Sequence, residues 1–281
     1  MDKHLYITDL DGTLLKGDKT LSAYTRQQLR YLLKEKKIHF TIATARSYVY
    51  AKQVLDGVGL HLPLILKNGA VTSDYSSGRH LNINFIEDEY WRELVDDIGE
   101  YMLSPFMSTF NSVDECYYYD QVVGDGMQWY VNEMQAGKDK RLKRLPTLHI
   151  VPHTEKVLSV SVINRLEVIE KVQEELQHRY KNILHCHFYE ELYHRGWYWA
   201  VFTNKAATKD QAIKNFCDQF GYDINETTAF GDSLSDKSML QVVKHKIAVA
   251  NADKRLIEIA TEVTGSNEED GVVKYIERKL K

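Results

Sequence analysis

The chain has 281 residues, of which 43% are hydrophobic and 27% are charged, and its formal net charge is −4 at pH 7. This composition is typical of a globular protein with material for one large or two ordinary domains, and it excludes a disordered chain. The negative charge gives no support to nucleic-acid binding, and no apolar run of about eighteen residues predicts a membrane span. No apolar signal region precedes the first predicted strand, so we do not expect secretion.

The three cysteines are far apart and match no metal-binding or redox spacing; they are Cys116, Cys186 and Cys217. An odd number of isolated cysteines is typical of free thiols in a reducing compartment. We therefore expect a cytoplasmic protein, without membrane association and with no protein partner implied by the sequence.

The first predicted strand delivers two carboxylates to one side of an extended chain. The β-forming residues 5–7 precede Asp9 and Asp11, and Gly12 lets the backbone turn directly after them. Mg²⁺ prefers hard oxygen ligands and usually takes one or two protein carboxylates, so this pair suits a metal site. An Asp-Gly pair is also a common hairpin signal, in which residues 13–15 would pair back on the strand.

Helices and strands alternate after this first strand. A helix capped by Ser22 precedes a strand at 38–43, and a helix at 47–56 precedes an apolar strand at 63–66. Thr44 stands at the carboxyl end of the second strand. The alternation predicts right-handed βαβ units with a parallel sheet, and it therefore argues against the hairpin.

The pattern changes between residues 85 and 200, where the order of helices and strands suggests an α+β layer with an open sheet. Acidic residues outnumber basic ones in this segment, which opposes binding of a polyanion. His185 and His187 share one face of a predicted strand. A metal site there is the weaker interpretation, because their spacing lacks a paired ligand set.

The remaining chain returns to alternating strands and helices. Thr208 and Gln211 fit a capping box, which places Lys209 in the first turn of a helix. A short strand then ends at Asp232. On this reading the polar positions near 9, 44, 209 and 232 all follow parallel strands, at the edge where doubly wound sheets bind their ligands. The predicted fold class is therefore α/β, with a doubly wound, Rossmann-like parallel-sheet core and an inserted α+β domain.

These positions carry a resemblance to the haloacid dehalogenase superfamily. Four stretches in the correct order resemble its motifs: Asp9-Leu10-Asp11-Gly12-Thr13, Thr44 within Ile42-Ala43-Thr44-Ala45-Arg46, Lys209 within Ala207-Thr208-Lys209-Asp210, and Gly231-Asp232-Ser233-Leu234-Ser235-Asp236. The tail resembles the Cof-type subgroup at Asn251-Ala252, Val263-Thr264 and Glu269-Asp270-Gly271-Val272. The middle segment resembles a type-two, subclass B cap.

The resemblance implies a catalytic core at 1–84 and 201–281 and a specificity cap at 85–200. It implies that Asp9 is the nucleophile and that Asp11 is the general acid and base. Mg²⁺ would be held by Asp9, the Asp11 main-chain carbonyl and Asp232, with Asp236 orienting a metal-bound water.

Six further positions are expected to bind substrate or its phosphate: Gly12, Thr44, Arg46, Asn68, Lys209 and Ser235. Thr44 offers a hydroxyl, and Lys209 offers a charge beside a helix N-terminus. The chain departs from the family at two positions. Ser235 stands where Asn is usual, and Ala45 stands where Gly is usual.

The resemblance therefore implies a Mg²⁺-dependent phosphatase that hydrolyses a small phosphorylated metabolite, such as a sugar phosphate, through an aspartyl-phosphate. A phosphomutase of the same superfamily is the alternative enzyme. A signalling module that resembles a response-regulator receiver also uses aspartate, Mg²⁺, Thr and Lys, but its motif order differs. A degenerate binding protein is the remaining alternative, for which Ser235 is the one hint.

Overall fold

The computed structural model describes residues 4–281 and divides them into two compact units. One unit runs to Ile83 and resumes as Ala207–Lys281, and the other is Asn84–Ala206. The strand Tyr198–Asn204 lies wholly in the second unit.

The strands are β1 (Leu5–Thr8), β2 (His39–Ile42), β3 (Leu64–Leu66), β4 (Val71–Ser73), β5 (His80–Ile83), β6 (Phe106–Phe110), β7 (Glu115–Tyr119), β8 (Leu142–Arg144), β9 (Lys156–Asn164), β10 (Leu184–Glu190), β11 (Tyr198–Asn204), β12 (Thr227–Gly231), β13 (His245–Val249) and β14 (Glu262–Thr264). The α-helices are α1 (Ala23–Lys34), α2 (Tyr48–Leu55), α3 (Asp88–Glu100), α4 (Gly124–Ala136), α5 (Leu166–Arg179), α6 (Lys209–Phe220), α7 (Lys237–Val242), α8 (Lys254–Ile257) and α9 (Gly271–Lys279).

A parallel sheet of order β14-β13-β12-β1-β2 forms the centre of the first unit. Strand β1 pairs in parallel with β12 on one side and with β2 on the other. Both edges of β1 are therefore occupied, which excludes the hairpin at Asp11 and Gly12 and confirms the doubly wound fold. Strand β3 adjoins this sheet through a single parallel bridge between Ala43 and Ile65, and it pairs with β4 in an antiparallel hairpin layer.

Two helix starts contrast in how they are stabilised. At α1 the Ser22 hydroxyl accepts a hydrogen bond from the Thr25 N–H at 2.9 Å, as the sequence predicts. At α6 the predicted capping box is wrong, because the Thr208 hydroxyl is buried without a hydrogen-bond partner. The start of α6 packs tightly against Gly69 instead, where an added Cβ would lie 2.4 Å from the Thr208 carbonyl oxygen. Tertiary packing thus replaces a local cap.

The hydrophobic core of the first unit lies between β1, β12 and the helices α6 and α7. Leu5, Ile7 and Ile213 are fully buried in it, with Phe216 and Leu240 beside them. Burying each such side chain contributes about 1.5–3 kcal/mol. This core fixes the strands whose carboxyl ends carry the acidic residues.

The second unit contains a sheet of order β10-β11-β9-β6-β7-β8. Helices α3 and α5 bury Trp91, Leu94 and Ile169 against one side of it, and α4 packs with the aromatic cluster around Phe106 and Trp199. None of the helices in residues 4–281 combines the length and the apolar character that a bilayer crossing requires.

Candidate active site

Three of the predicted positions lie at the carboxyl edge of the parallel sheet. Asp9 directly follows β1, Asp232 directly follows β12, and Thr44 comes just after β2. Because these strands are parallel neighbours, their carboxyl ends meet. Lys209 differs from the prediction, because the strand before it, β11, pairs antiparallel with β10 and β9 in the sheet of the second unit. It reaches the site from the first turn of α6.

Three carboxylates and one ammonium group form the centre of the site. Carboxylate oxygens of Asp9, Asp232 and Asp236 lie within 4.8 Å of one another. Within the described residues, this is the one group of three or more acidic, histidine or cysteine side chains close enough to share a metal ion, so His185 and His187 form no such site. Lys209 Nζ lies 2.7 Å from Asp9 Oδ1 and 2.7 Å from Asp236 Oδ1.

Asp236 is fully buried and is held on both sides. Its Oδ2 accepts hydrogen bonds from the main-chain N–H groups of Asp232 at 3.1 Å and Ser233 at 3.2 Å, while Oδ1 pairs with Lys209. Ser233 and Asp236 form a reciprocal capping box at this turn. Both carboxylate oxygens of Asp236 thus accept hydrogen bonds from other groups of the protein, which suits a residue that orients the groups around it.

Gly12 lets the first loop lie directly against Asp232. Its φ is +79°, and an added Cβ would lie 2.4 Å from Asp232 Oδ2, so both the conformation and the space require glycine. The neighbouring Thr13 hydroxyl donates to Asp232 Oδ1 at 2.6 Å. Thr13 is the last residue of the first motif, but the sequence alone indicates no role for its side chain; in the structure its hydroxyl orients a carboxylate of the site.

Asp11 makes a different contact from the other carboxylates. It forms a two-point ion pair with Arg46, whose Nε lies 2.7 Å from Asp11 Oδ2 and whose terminal nitrogen donates to Oδ1. Both side chains are partly buried, which favours a stable pair. In this structure Arg46 is therefore ion-paired with Asp11, the residue expected to act first as general acid and then as general base.

The remaining predicted residues surround this arrangement. Thr44 is buried and its Oγ1 accepts a hydrogen bond from the Arg46 N–H at 3.2 Å. Asn68 is buried with φ of 55°, and its main-chain N–H donates to the Thr44 carbonyl at 3.0 Å. Ser235 is exposed, and its hydroxyl lies 2.7 Å from the Ser233 hydroxyl.

Burial and mutual repulsion shape the charges at the centre. Burial raises the pKa of Asp9 well above its ordinary value, Lys209 opposes this rise, and the carboxylates of Asp236 and Asp232 add to it. Burial, with Asp236 as the next cause, raises the pKa of Asp232 to about 7. Burial alone would lower the pKa of Lys209, but Asp236 and Asp9 outweigh it and raise that pKa, so Lys209 stays charged.

The donor set fits a divalent cation. Three carboxylates and one ammonium group leave two negative charges in a largely buried space when all are ionised. Two positive charges would neutralise them, and carboxylate oxygens are the ligands that Mg²⁺ prefers.

Comparison with known proteins agrees with this geometry. Residues 6–276 match the family of haloacid dehalogenase-like hydrolases. The chain belongs to this family. It is 25% identical to Phosphatase YwpJ of Bacillus subtilis, over 98% of this chain and 99% of that protein. It is also 25% identical to the B. subtilis 5-amino-6-(5-phospho-D-ribitylamino)uracil phosphatase YwtE, over 97% of this chain and 96% of that protein.

The fold is shared with a solved sugar phosphatase of subclass IIB in this superfamily, with a TM-score of 0.75 and 17% identity over 98% of both chains. The predicted membership of the Cof-type hydrolases and the predicted core-and-cap fold class are thus confirmed. The family and its named members make this chain an enzyme of the phosphatase type.

Proposed function

We propose that the protein is a Mg²⁺-dependent phosphomonoesterase that acts on a small phosphorylated metabolite through an aspartyl-phosphate on Asp9. The observation that carries this proposal is the buried group of Asp9, Asp232 and Asp236 with Lys209 between two of its carboxylates. A nucleophilic carboxylate, a fixed cation and a metal-binding donor set are the parts that phosphoryl transfer needs.

Asp9, Asp232 and the main-chain carbonyl of Asp11 would hold Mg²⁺, and Asp236 would orient the groups around it. When bound, Mg²⁺ would offset the repulsion between an anionic nucleophile and an anionic substrate and stabilise the charge of the transferring phosphoryl group. Lys209 would add a permanent positive charge beside Asp9, and Thr44 would donate its hydroxyl to a phosphoryl oxygen. Arg46 and Ser235 offer further donors, and the Asn68 turn supports Thr44.

The covalent steps would use two carboxylates. Asp9 would attack phosphorus, the bond to the leaving oxygen would break, and Asp11 would give that oxygen a proton. Water would then attack the aspartyl-phosphate, Asp11 would take the proton of the water, and Asp9 would be released with inorganic phosphate. Because an acid must carry its proton, the pair between Asp11 and Arg46 has to loosen for the first step. An anionic substrate that attracts Arg46 would loosen it.

The substrate class follows from chemistry and from the relatives. YwtE is named for 5-amino-6-(5-phospho-D-ribitylamino)uracil, which carries its phosphate on a ribityl chain, the chain of a sugar alcohol. We propose a substrate of this general class, such as a sugar or polyol phosphate, which residues 85–200 would select. The three buried thiols agree with a reducing compartment, so the cytoplasm stays our prediction.

The test is release of inorganic phosphate from a panel of sugar, polyol and cofactor phosphates, with Mg²⁺ and with EDTA. We expect metal-dependent turnover that Asp9→Asn abolishes. Asp74→Asn is the matched control, since Asp74 serves an exposed turn by accepting hydrogen bonds from Ser76 and Ser77, and it should keep the full rate.

Three other outcomes would contradict the proposal. Transfer of phosphate between positions of a sugar, with an activated bisphosphate retained, would favour a phosphomutase. Stable phosphorylation of Asp9 without turnover would favour a signalling module. Binding without either reaction, in a correctly folded protein, would favour a binding protein.

A further inference from the structure

The tail of the chain contains stretches that resemble the family but have no role in the reaction described above. One of them begins at Asn251, just after β13. The Asn251 side-chain amide donates to the main-chain carbonyl of Gly12 at 2.8 Å. Gly12 directly follows Asp11 and lies against Asp232, so this hydrogen bond reaches the first motif where it is packed against a carboxylate of the site.

A second asparagine completes the contact. The Asn267 main-chain N–H donates to Asn251 Oδ1 at 2.9 Å, and its side-chain amide donates to the Leu15 carbonyl at 2.9 Å. The side-chain amide of Asn251 is thus linked to the loop through its nitrogen and to Asn267 through its oxygen. The side chains of Asn251 and Asn267 thus hydrogen-bond to the main chain of the loop at Gly12 and at Leu15.

The same tail follows the chain beyond this loop. The Gly17 N–H donates to Glu268 Oε1 at 2.7 Å, and the Thr25 hydroxyl donates to Asp270 Oδ1 at 2.9 Å. The Asp253 N–H donates to the Asp232 carbonyl at 2.7 Å, so the segment after Asn251 also holds the strand end that carries the fourth motif. One stretch of chain therefore fixes both halves of the acidic site.

The loop needs support from outside because of its own composition. Glycine has more conformational freedom than other residues, so the peptide after Gly12 is not fixed by sterics alone. Within the loop, the Thr13, Leu14 and Leu15 N–H groups donate to the Leu10 carbonyl, and Asp11 forms a parallel bridge with Leu15. The carbonyls of Gly12 and Leu15 are held by the tail. Loss of these contacts would release the loop that places Asp11 and the Thr13 hydroxyl.

We propose that Asn251 and Asn267 are positioning residues of this enzyme, whose amides fix the first-motif loop so that Asp11, its main-chain carbonyl and Thr13 keep their places around the metal and the substrate. The proposal rests on the proposed function for its kinetic readouts, and it has a second readout that depends on Mg²⁺ binding alone and not on phosphatase activity. Neither asparagine is proposed to touch the substrate.

The experiment uses the full chain with Asn251→Ala, Asn267→Ala and the double variant. Asn225→Ala is the matched control, because among the described residues the Asn225 amide donates within a surface turn, to Asp223. Positioning partners of a metal site are typically worth about 10- to 100-fold in activity or metal affinity. We expect a kcat loss of this size for p-nitrophenyl phosphate, with KM unchanged and the half-saturating Mg²⁺ concentration raised.

The binding readout is the rise in Tm on addition of Mg²⁺, which we expect to be smaller in both variants than in the wild type and in Asn225→Ala. Because the two asparagines act as one unit, the double variant should lose little more than either single variant. A lower Tm with unchanged kcat and unchanged Mg²⁺ response would overturn the proposal, since it would show a purely structural role.

The outcomes also separate this proposal from the proposed function. If the wild type has no phosphatase activity, the proposed function fails, and the Mg²⁺-dependent rise in Tm still decides whether the asparagines position the site. If Asn251→Ala does not fold, Asn267→Ala decides, because it keeps its main-chain bond to Asn251 and loses only the bond to Leu15.

Discussion

Asp232→Asn should stabilise the protein in the absence of metal while it removes the activity. Asp232 lies beside Asp9 and Asp236 in a largely buried space, and Lys209 offsets part of the three negative charges. Asparagine has nearly the same shape and keeps an oxygen that can accept the hydrogen bond from Thr13. The substitution therefore removes a repelled charge without opening a cavity.

The size and the pH dependence of the effect follow from the pKa of Asp232. Burial, followed by repulsion from Asp236, raises this pKa from its ordinary value of 3.8 to about 7. That difference corresponds to an upper bound of about 4 kcal/mol. The folded state holds the proton of Asp232 more tightly than the unfolded state. The contribution of this group to the free energy of unfolding is therefore complete below about pH 4 and is lost as the pH rises through about 7.

The assay is calorimetric measurement of Tm in EDTA at about pH 5 and about pH 8, which lie on either side of the raised pKa. We expect the Tm of Asp232→Asn to exceed that of the wild type by a margin that widens toward the higher pH, and Mg²⁺ to raise the wild type more than the variant. Asp253→Asn is the control, since hydrogen bonds from the side chain and N–H of Arg255 lower the pKa of Asp253 to about 2. That variant should lose stability equally at both pH values. A margin that stays constant or reverses for Asp232→Asn would refute the reasoning.

Other contacts of the site give further predictions. Arg46→Lys replaces the planar guanidinium, which we propose an anionic substrate attracts away from Asp11, with a single ammonium group, so phosphate release should slow by about 10- to 100-fold with the fold intact; a wild-type rate would contradict this. Gly231→Ala places a Cβ 2.6 Å from the Asp236 Cβ, which should cost about 1–3 kcal/mol and lower Tm; an unchanged Tm would show that the turn yields freely. Cys186 is buried, and burial raises the pKa of its thiol to about 12, so a thiol reagent should label it only after unfolding; labelling of the native protein would disprove this.

The parts of the site that depend on local sequence could be predicted. Asp9 and Asp232 each end an apolar strand, and parallel strands bring such ends together. The alternation of strands and helices favoured the parallel sheet over the hairpin that Asp11 and Gly12 also allowed, as the structure confirms.

The parts that depend on tertiary contacts could not be predicted. Nothing local to Arg46 indicates that it turns toward Asp11, because the choice between a surface pair, the substrate and Asp11 is made by groups distant in sequence. Thr208 has the pattern of a helix cap, but its hydroxyl is buried where α6 meets Gly69, so packing overrides the cap. Lys209 was placed correctly in the first turn of its helix, yet the strand before it belongs to the other unit.

The excess negative charge of the site links its proposed affinity for Mg²⁺ to the free energy of folding. Repulsion among Asp9, Asp232 and Asp236 opposes folding without metal, and a cation that binds only the folded state gains what that repulsion costs. The protein can tolerate the repulsion because main-chain N–H groups, Thr13 and Lys209 donate hydrogen bonds to the carboxylates. In such a site the repulsion is relieved when the cation is bound. Any variant that removes one of the three carboxylates should therefore lose both the activation of turnover by Mg²⁺ and the rise in Tm on addition of Mg²⁺.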